Sequence, residues 1–472
     1  MNDTDIIAQI GGLTADSRNV HKGMLFAALP GRRVDGRDYI KDAIAGGARI
    51  ILAPEGTGIA DSDVILITDP DPRRRFAQLA AKFYGRQPET TVAVTGTNGK
   101  TSTVTFTAQI WERLGYKSAS LGTLGVVSRV KMKTGSLTTP DTVALQAELA
   151  DLAAAGIDHL AMEASSIGVE QRRLDGVQLA AAAFTNLTQD HLDYHGDMET
   201  YFQSKLRLFT TLLPADKASV VYVDDEYGVR LADGLKKAGR KIITFGRDAD
   251  DIKLVRQLPT PSGQVLNIRA EGQDFTVNMS LPGLFQALNA LCAAGIVLAC
   301  DRRRSFADIA GHLETLTGVP GRLQLVPGHP SGAAVYVDYA HTPAGLENVL
   351  SALRPHASGK LVCVFGAGGD RDRAKRPLMG AAVARLADTG IVTDDNPRSE
   401  DPAAIRAEIM PAIPGAQEIG DRRQAIRTAI ASLRSGDVLV IAGKGHEPGQ
   451  TIQGIVHPFD DVSEAKAAID AL

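Results

Sequence analysis

Cysteine is scarce in this chain, with three residues in 472, and tryptophan occurs once. Cys292, Cys300 and Cys363 form no CxxC pair, so neither a disulfide framework nor a thiolate metal site is expected. Each lies in an apolar stretch, which points to buried free thiols in a reducing compartment. Aromatic residues make up 5%, too few for a platform that stacks single-stranded nucleic acid. An excess of one charge is missing too: 51 Lys and Arg against 55 Asp and Glu leave a formal charge of −4. That balance gives the chain no overall pull toward nucleic acid or anionic lipid, and it is silent on local patches.

Long hydrophobic runs are absent as well. The longest apolar stretch, Gly283 to Cys300, contains Gln286 and Asn289 and is too short and too polar for a membrane span. The opening MNDTDIIAQI is acidic and lacks the basic-then-apolar order of a signal peptide. A cytoplasmic monomer is expected, with no membrane span and no nucleic-acid partner. No short repeat or low-complexity block appears, which argues against a solenoid.

The remaining composition is ordinary for a globular protein, with 44% hydrophobic and 22% charged residues. At roughly 100–200 residues per domain the length allows two to four domains, each able to bury its own core. Residues 1–86 carry short apolar strands such as MLFAAL and RIILAP, broken by Gly and Pro. GRQPET then reads as a linker. Residues 87–326 open with TVAVTGTNGKTSTVTFTAQIWERLG, a strand, a glycine turn and a helix of about four turns. HLAMEAS and ASVVYVDD continue the strand–helix alternation, which predicts a parallel sheet. IKLVRQL, GQVLNIRA and FTVNMSL look like antiparallel strands. Residues 327–472 alternate again, with AVYVDYA, KLVCVFGAGG, TGIVTDD and DVLVIAGKG as strands that end in polar or glycine-rich loops. The expected fold class is α/β with three domains: an N-terminal α/β domain, a central P-loop ATPase-like parallel-sheet domain and a C-terminal Rossmann-like domain. Ligands belong at the C-terminal edges of the strands.

The strongest local signal is Gly96-Thr97-Asn98-Gly99-Lys100-Thr101, which follows a strand and opens a helix. Backbone N–H groups and the positive helix end would cradle phosphate oxygens. Lys100 would neutralise β/γ-phosphate charge, and the Thr101 hydroxyl would ligate Mg²⁺. The spacing departs from the common P-loop, since Val94 stands where its first glycine would be. Glu163, at the end of the run HLAM, lies on the same sheet edge and can reach that metal. On position alone, an exposed strand-end Glu is an equal reading.

GTNGKTS, MEASSIGVEQRR, TNLTQDHLDYHGDMETYFQSK, PGRLQLV, VDYAHTP, GAGGDRDRAKRP, DDNPRSEDP and AGKGHE resemble the Mur ligase family, in that family's order and over most of the chain. DSRNVHKGMLFAAL and DGRDYI are similar to its UDP-binding domain. The resemblance implies ATP-dependent amide formation in peptidoglycan precursor synthesis. The D-Glu carboxylate of UDP-MurNAc-L-Ala-D-Glu attacks the γ-phosphate, and the resulting acyl phosphate is opened by the amine of meso-2,6-diaminopimelate. A carboxylate must approach a polyphosphate, so placed cations have to screen the repulsion.

The same resemblance implies the site residues. Lys100, Glu163, His191 and Lys205 are catalytic. Gly96 to Thr101, Asn289, Arg322 and Asp338 bind ATP. Mg²⁺ is held by Thr101, Glu163, His191 and Lys205, the last as a carbamate. Read without the family, Lys205 is a solvated helix lysine. Ser17, with Arg18, and Thr138, Thr139, Ser165, Gln171 and Arg173 bind the UDP substrate. Arg371, Asp395, Asn396, Pro397, Arg398, Gly443 and Glu447 bind the amino acid, with Glu447 on its distal ammonium. Gln286 and Ile167 depart from the family pattern, which shows Asn and a polar residue there. His341 belongs near the adenine or phosphate edge, or is a turn residue.

Arg398 carries the specificity argument. A guanidinium engages a carboxylate bidentately. Diaminopimelate has a second carboxylate at its far end, where lysine has a hydrogen. As a bland alternative, Asn-Pro-Arg is a helix-entry turn. A GTPase-like switch would need an NKxD after a strand, and none occurs. A nicotinamide dehydrogenase would need a small residue where Arg371 stands. Folylpolyglutamate synthetase would lack DNPR, and a lysine-adding relative is the nearest rival.

Overall fold

The computed structural model describes residues 2–31, 34–59, 63–133, 135, 137–260 and 263–472. They form two compact units, one of Met1–Leu254, Arg269–Gln273 and Asn289–Ala310, the other of Val255–Ile268, Asp274–Leu288 and Gly311–Leu472.

The first unit begins with a parallel sheet of Leu13–Thr14, Leu25–Ala27, Ile50–Pro54 and Ile65–Asp69, in that order. The helix Pro72–Tyr84 covers one face by packing Phe76, Leu79 and Ala80 against Leu25, Ala27, Ile50 and Leu52. Its ends follow from sequence. Asp71 caps the first turn by accepting from the Arg74 N–H, Pro72 has the φ a first turn needs, and Gly85 closes the helix at φ 71°. The expected linker after it is tied down. Gln87 donates to the Gly176 carbonyl over 2.7 Å and to Gln146 over 3.0 Å, and accepts from the Gln178 N–H over 3.0 Å.

The large sheet of this unit centres on Thr90–Thr95. His159–Glu163 and then Ser118–Gly122 lie parallel on one side, and Leu179–Phe184, Ala218–Tyr222 and Ile242–Gly246 on the other. Gly125–Ser128 and Met132–Lys133 add antiparallel strands at one edge. The chain leaves Thr95 to build one side and returns to build the other, so Thr90–Thr95 is the topological switch point where such sheets bind ligands. Further on, Gly263–Ala270 and Gln273–Met279, most of whose residues belong to the second unit, are joined by Glu271 (φ 53°) and Gly272 (φ 75°). A two-residue turn with both φ positive makes an antiparallel hairpin.

The second unit carries a six-stranded sheet in the order Gln324–Val326, Ala334–Asp338, Val438–Ala442, Leu361–Phe365, Thr389–Val392 and Gln417–Glu418, parallel except for the first strand. Strands buried on both faces need unbroken apolar runs. LVCVF obeys this: Leu361, Cys363 and Phe365 pack with Leu346, Leu350, Met379 and Ile409, while Val362 and Val364 pack with Ile426, Ile430, Ala465 and Ile469. Each fully buried Leu or Ile contributes about 1.5–3 kcal/mol.

The three thiols are free; Cys292 and Cys363 are buried and Cys300 partly so. Burial pushes all three up, Cys300 to about 12, which leaves them poor nucleophiles. Among the described residues no helix is long and apolar enough to cross a membrane.

Candidate active site

In the first unit the loop after Thr95 is the centre of a dense set of hydrogen bonds. Gly96 has φ 152° and Gly99 φ 86°, and a β-carbon on either would collide, with the Thr185 hydroxyl and the Asn289 amide oxygen respectively. The next strand's loop braces this one. Thr185 Oγ1 donates to the Asn98 carbonyl over 2.5 Å, the Asn98 N–H donates to Asn186 Oδ1 over 2.9 Å, and the Thr97 N–H donates to the Asn186 carbonyl over 2.9 Å. Thr97 Oγ1 donates to the Thr188 carbonyl over 3.1 Å. Lys100 begins the helix Lys100–Arg113, and Thr101 is buried beside it.

Two lysine side-chain nitrogens converge on one acceptor here. Lys100 Nζ donates to the Gly96 carbonyl over 2.9 Å and Lys205 Nζ does so over 3.0 Å. Lys205 is 1% exposed and lies 4.4 Å from the centre of the Tyr201 ring, whose hydroxyl is 3.3 Å from Thr97 Oγ1. The solvated-lysine reading is therefore overturned. Burial holds the Lys205 amine well below the usual lysine range, and the Lys100 charge adds to the effect. The sequence around it, METYFQSKLR, forms the helix Met198–Arg207, capped by Asp197, and Lys205 falls on its buried face with Tyr201 and Phe202.

Glu163 ends its strand directly beside Val94 and is 1% exposed. Its Oε1 accepts from the Thr123 N–H over 2.8 Å and its Oε2 from Thr123 Oγ1 over 3.3 Å. The exposed strand-end reading therefore fails. Thr138 is linked to the same threonine over 3.3 Å. Thr139 Oγ1 donates to the Glu163 carbonyl over 3.0 Å and accepts from the Ser165 N–H over 3.0 Å. Arg173 Nη1 reaches the Thr139 carbonyl over 2.6 Å and Nη2 reaches Gln171 Oε1 over 2.8 Å. Thr138, Thr139, Ser165, Gln171 and Arg173 thus form one connected network with Glu163. His191 stands at φ 54° and is half exposed, with Nε2 3.5 Å from Asp190. Ser17 and Arg18 lie in the short 3-10 helix Ser17–Asn19, and Arg18, 86% exposed, is paired with Asp16 over 2.7 Å.

In the second unit three strand ends meet. Asn396 follows Thr389–Val392; its Nδ2 donates to Glu447 Oε2 over 2.8 Å, and its Oδ1 accepts from Lys444 Nζ over 3.1 Å. Arg398 has φ 54°, donates from Nη1 to the Gly369 carbonyl over 2.8 Å, and is held through its N–H to the Thr451 carbonyl over 2.9 Å. The helix after it starts at Pro402 with Asp401 as its cap, and the Glu400 N–H donates to the Pro397 carbonyl over 3.1 Å in the turn that leads into it. Gly443 has φ 121°, where a β-carbon would collide with the Asp395 carboxylate. Asp395, Asn396, Pro397, Arg398, Gly443 and Glu447 are therefore brought together. Arg371 is exposed and donates to the carbonyl of its neighbour Asp370 over 3.2 Å. Glu447 already faces the buried Lys444 ammonium at 3.4 Å.

Asp338 is 5% exposed, accepts from the Leu323 and Ala340 N–H groups over 2.7 Å each, and is pushed up by burial, with Arg322 pulling the other way. Arg322 stacks 4.6 Å from the Tyr339 ring. His341, in the next turn, is 2.9 Å from the Tyr339 carbonyl through Nδ1. Gln286 is fully buried, and neither end of its amide finds a hydrogen bond among the described residues.

Sequence reasoning did not single out Thr123, Thr185, Asn186 or Lys444. Thr185 and Asn186 lie in TNLTQD and Lys444 in AGKGHE, motifs whose polar residues were the available signal. Thr123 carried none.

Three family models match the chain: "Mur ligase family, catalytic domain" over residues 9–84, "Mur ligase middle domain" over 94–297, and "Mur ligase, glutamate ligase domain" over 321–445. A protein of Caulobacter vibrioides named UDP-N-acetylmuramoyl-L-alanyl-D-glutamate–2,6-diaminopimelate ligase is 54% identical over 469 residues, which covers 98% of this chain and 96% of that one. A Rhizobium meliloti protein of the same name is 50% identical, covering 98% and 95%. A solved structure of a ligase of that name superposes with a TM-score of 0.72 at 35% identity, covering 98% and 95%. With three α/β domains matched in order and full-length relatives at this identity, the chain belongs to the Mur ligase family.

Proposed function

We propose that this chain is an ATP-dependent ligase that joins meso-2,6-diaminopimelate to the D-Glu of UDP-MurNAc-L-Ala-D-Glu in the cytoplasm, as a monomer, for peptidoglycan precursor synthesis. The domains are 1–86 for the UDP end, 87–326 for ATP and 327–472 for the amino acid. The names of the relatives support the reaction, and one observation carries the choice of amino acid. Arg398 stands in a left-handed backbone conformation two residues after Asn396, which bonds Glu447, and its guanidinium reaches the Gly369 carbonyl. A non-glycine residue is held at positive φ only where its surroundings over-determine it. Leaving such a guanidinium without its carboxylate partner costs about 1–3 kcal/mol, at the upper end roughly a hundredfold discrimination against lysine.

The phosphates are assigned to Gly96–Thr101, with Lys100 screening charge as the D-Glu carboxylate attacks the γ-phosphorus. Asn289, Arg322 and Asp338 serve the rest of ATP. Ser17, Thr138, Thr139, Ser165, Gln171 and Arg173 hold the UDP substrate, and Arg173 suits an anionic part of it. Arg371, Asp395, Asn396, Pro397, Arg398, Gly443 and Glu447 orient the amino acid so that its amine meets the acyl phosphate and releases phosphate.

Thr101 and Glu163 offer the oxygen donors that Mg²⁺ takes, with Lys205 as a carbamate and His191 completing the set. Bound there, Mg²⁺ would neutralise charge between the γ-phosphate and the attacking carboxylate. Carbon dioxide adds to the neutral Lys205 amine, forming an N–C bond and releasing one proton, and the resulting carbamate anion offers oxygen ligands.

ADP release is measured with ATP, Mg²⁺ and UDP-MurNAc-L-Ala-D-Glu. Turnover that depends on diaminopimelate and is at least tenfold slower with lysine is expected. Equal turnover with lysine would favour the lysine-adding reading, and no dependence on either amino acid defeats the ligase reading.

A further inference from the structure

Several ion pairs of the second unit take no part in the mechanism, and among the described residues one of them has both side chains fully buried. Arg422 and Asp461 are both 0% exposed at the side chain. Arg422 Nε donates to Asp461 Oδ1 over 2.7 Å and Nη2 donates to Oδ2 over 2.6 Å, a bidentate fork. Replacing such a pair by apolar residues is often neutral or stabilising, so stability alone is a weak reason for it.

The remaining guanidinium donors show what else the pair does. Arg422 Nη2 also donates to the Ala442 carbonyl over 3.0 Å, and Nη1 to the Asp394 carbonyl over 3.5 Å. Ala442 precedes Gly443, and Asp394 precedes Asp395-Asn396-Pro397-Arg398. One guanidinium therefore holds the entrance of both loops that carry the amino-acid residues. Its partner Asp461 fixes a third element. The hairpin Gly449–Ile452 and Ile455–Pro458 ends three residues before Asp461 and grips the same loop. Gln450 Nε2 donates to the Asp395 carbonyl over 2.8 Å, the Thr451 N–H to Asn396 Oδ1 over 3.0 Å, and the Gln453 N–H to the Arg398 carbonyl over 2.6 Å.

We infer that Arg422 and Asp461 are positioning residues for amino-acid recognition, clamping the 394–398 loop, the 442–447 loop and the 449–458 hairpin in one arrangement. Neither touches substrate. Displacing a clamped group by 1 Å is enough to lose much of the benefit of orientation, so the effect falls on the amino acid rather than on ATP. This rests on the proposed function, because it assumes that these loops bind the incoming amino acid.

The test uses Asp461→Asn, which keeps the shape but removes the charge, and Arg422→Lys, which keeps the charge but loses the fork. Steady-state kinetics are taken for all three substrates, with diaminopimelate and with lysine, alongside thermal unfolding. In each variant KM for diaminopimelate rises tenfold or more and the preference over lysine falls by a similar factor. KM for ATP and for the UDP substrate stays within twofold. Folded variants with unchanged diaminopimelate KM and selectivity overturn the inference. So does a fall in kcat with all three KM values unchanged, and so does loss of folding in both variants, which would make the pair merely structural. Absence of amino-acid-dependent turnover in the unmodified protein sinks the ligase reading instead.

Discussion

Lys100 and Lys205 donate to the same oxygen, the Gly96 carbonyl, over 2.9 and 3.0 Å. Burial and the neighbouring Lys100 charge both favour the neutral Lys205 amine, which is the form that adds carbon dioxide. Protein equilibrated with ¹³C-bicarbonate is expected to show a carbamate resonance that disappears in Lys205→Ala. That variant should remain folded and lose about a hundredfold or more in kcat, within the range for removing one electrostatic group from a transition state. A folded, fully active Lys205→Ala with no difference in the spectrum would refute the assignment.

Gly99 is at φ 86° and faces the Asn289 amide. Gly99→Ala combines an unfavourable backbone with a collision, so about 1–3 kcal/mol of stability should be lost. KM for ATP should rise at least tenfold while diaminopimelate binding is spared. Adding Asn289→Ala relieves the collision but not the backbone, so only part of the loss should return. Calorimetry and nucleotide titration read both effects.

Arg398→Ala is expected to lower kcat/KM for diaminopimelate by roughly ten- to a hundredfold, corresponding to about 1–3 kcal/mol, and to leave ATP affinity intact. Isothermal titration of ATP beside the kinetic assay separates these. Loss of both together would mean that the loop had collapsed.

Acid should weaken the second unit through Arg376. This side chain is fully buried between Glu400, at 2.8 Å, and Glu408, at 2.9 Å. Hydrogen bonding to Arg376 lowers Glu400 from 4.5 to about 2, and the Arg373 and Arg376 bonds lower Glu408. A carboxylate lowered by folding stabilises the folded state above its unfolded pKa. That contribution is lost as pH falls from 4.5 toward about 2. Glu400→Gln should flatten the unfolding midpoint against pH over this window. An unchanged slope would show that the pair does not govern acid sensitivity.

What could be read from the sequence was what depends on near neighbours. The strand–glycine–helix order placed Lys100 and Thr101, and the unbroken apolar runs placed the parallel strands. The burial of Lys205 could not be read this way, because it depends on Gly96, 109 residues earlier. Nor could the bond from Thr123 to Glu163, which requires two strands to pair first. Arg398 was found by motif, but its left-handed backbone arises from the hairpin beyond residue 449. Arg371 matched a motif and lies exposed, since a match fixes a position in the chain and not a rotamer.

The loop Gly96–Lys100 owes its shape to Thr185, Asn186 and Thr188, about ninety residues downstream in the chain. A growing polypeptide that has emerged only as far as residue 113 contains every glycine of the phosphate loop and none of its scaffold. On the proposed assignment of this loop to ATP, nucleotide has nothing ordered to bind until Leu179–Phe184 has docked beside Thr90–Thr95. In a pulse of synthesis or refolding, the onset of ADP retention would act as a clock, marking when the middle of the sheet has closed.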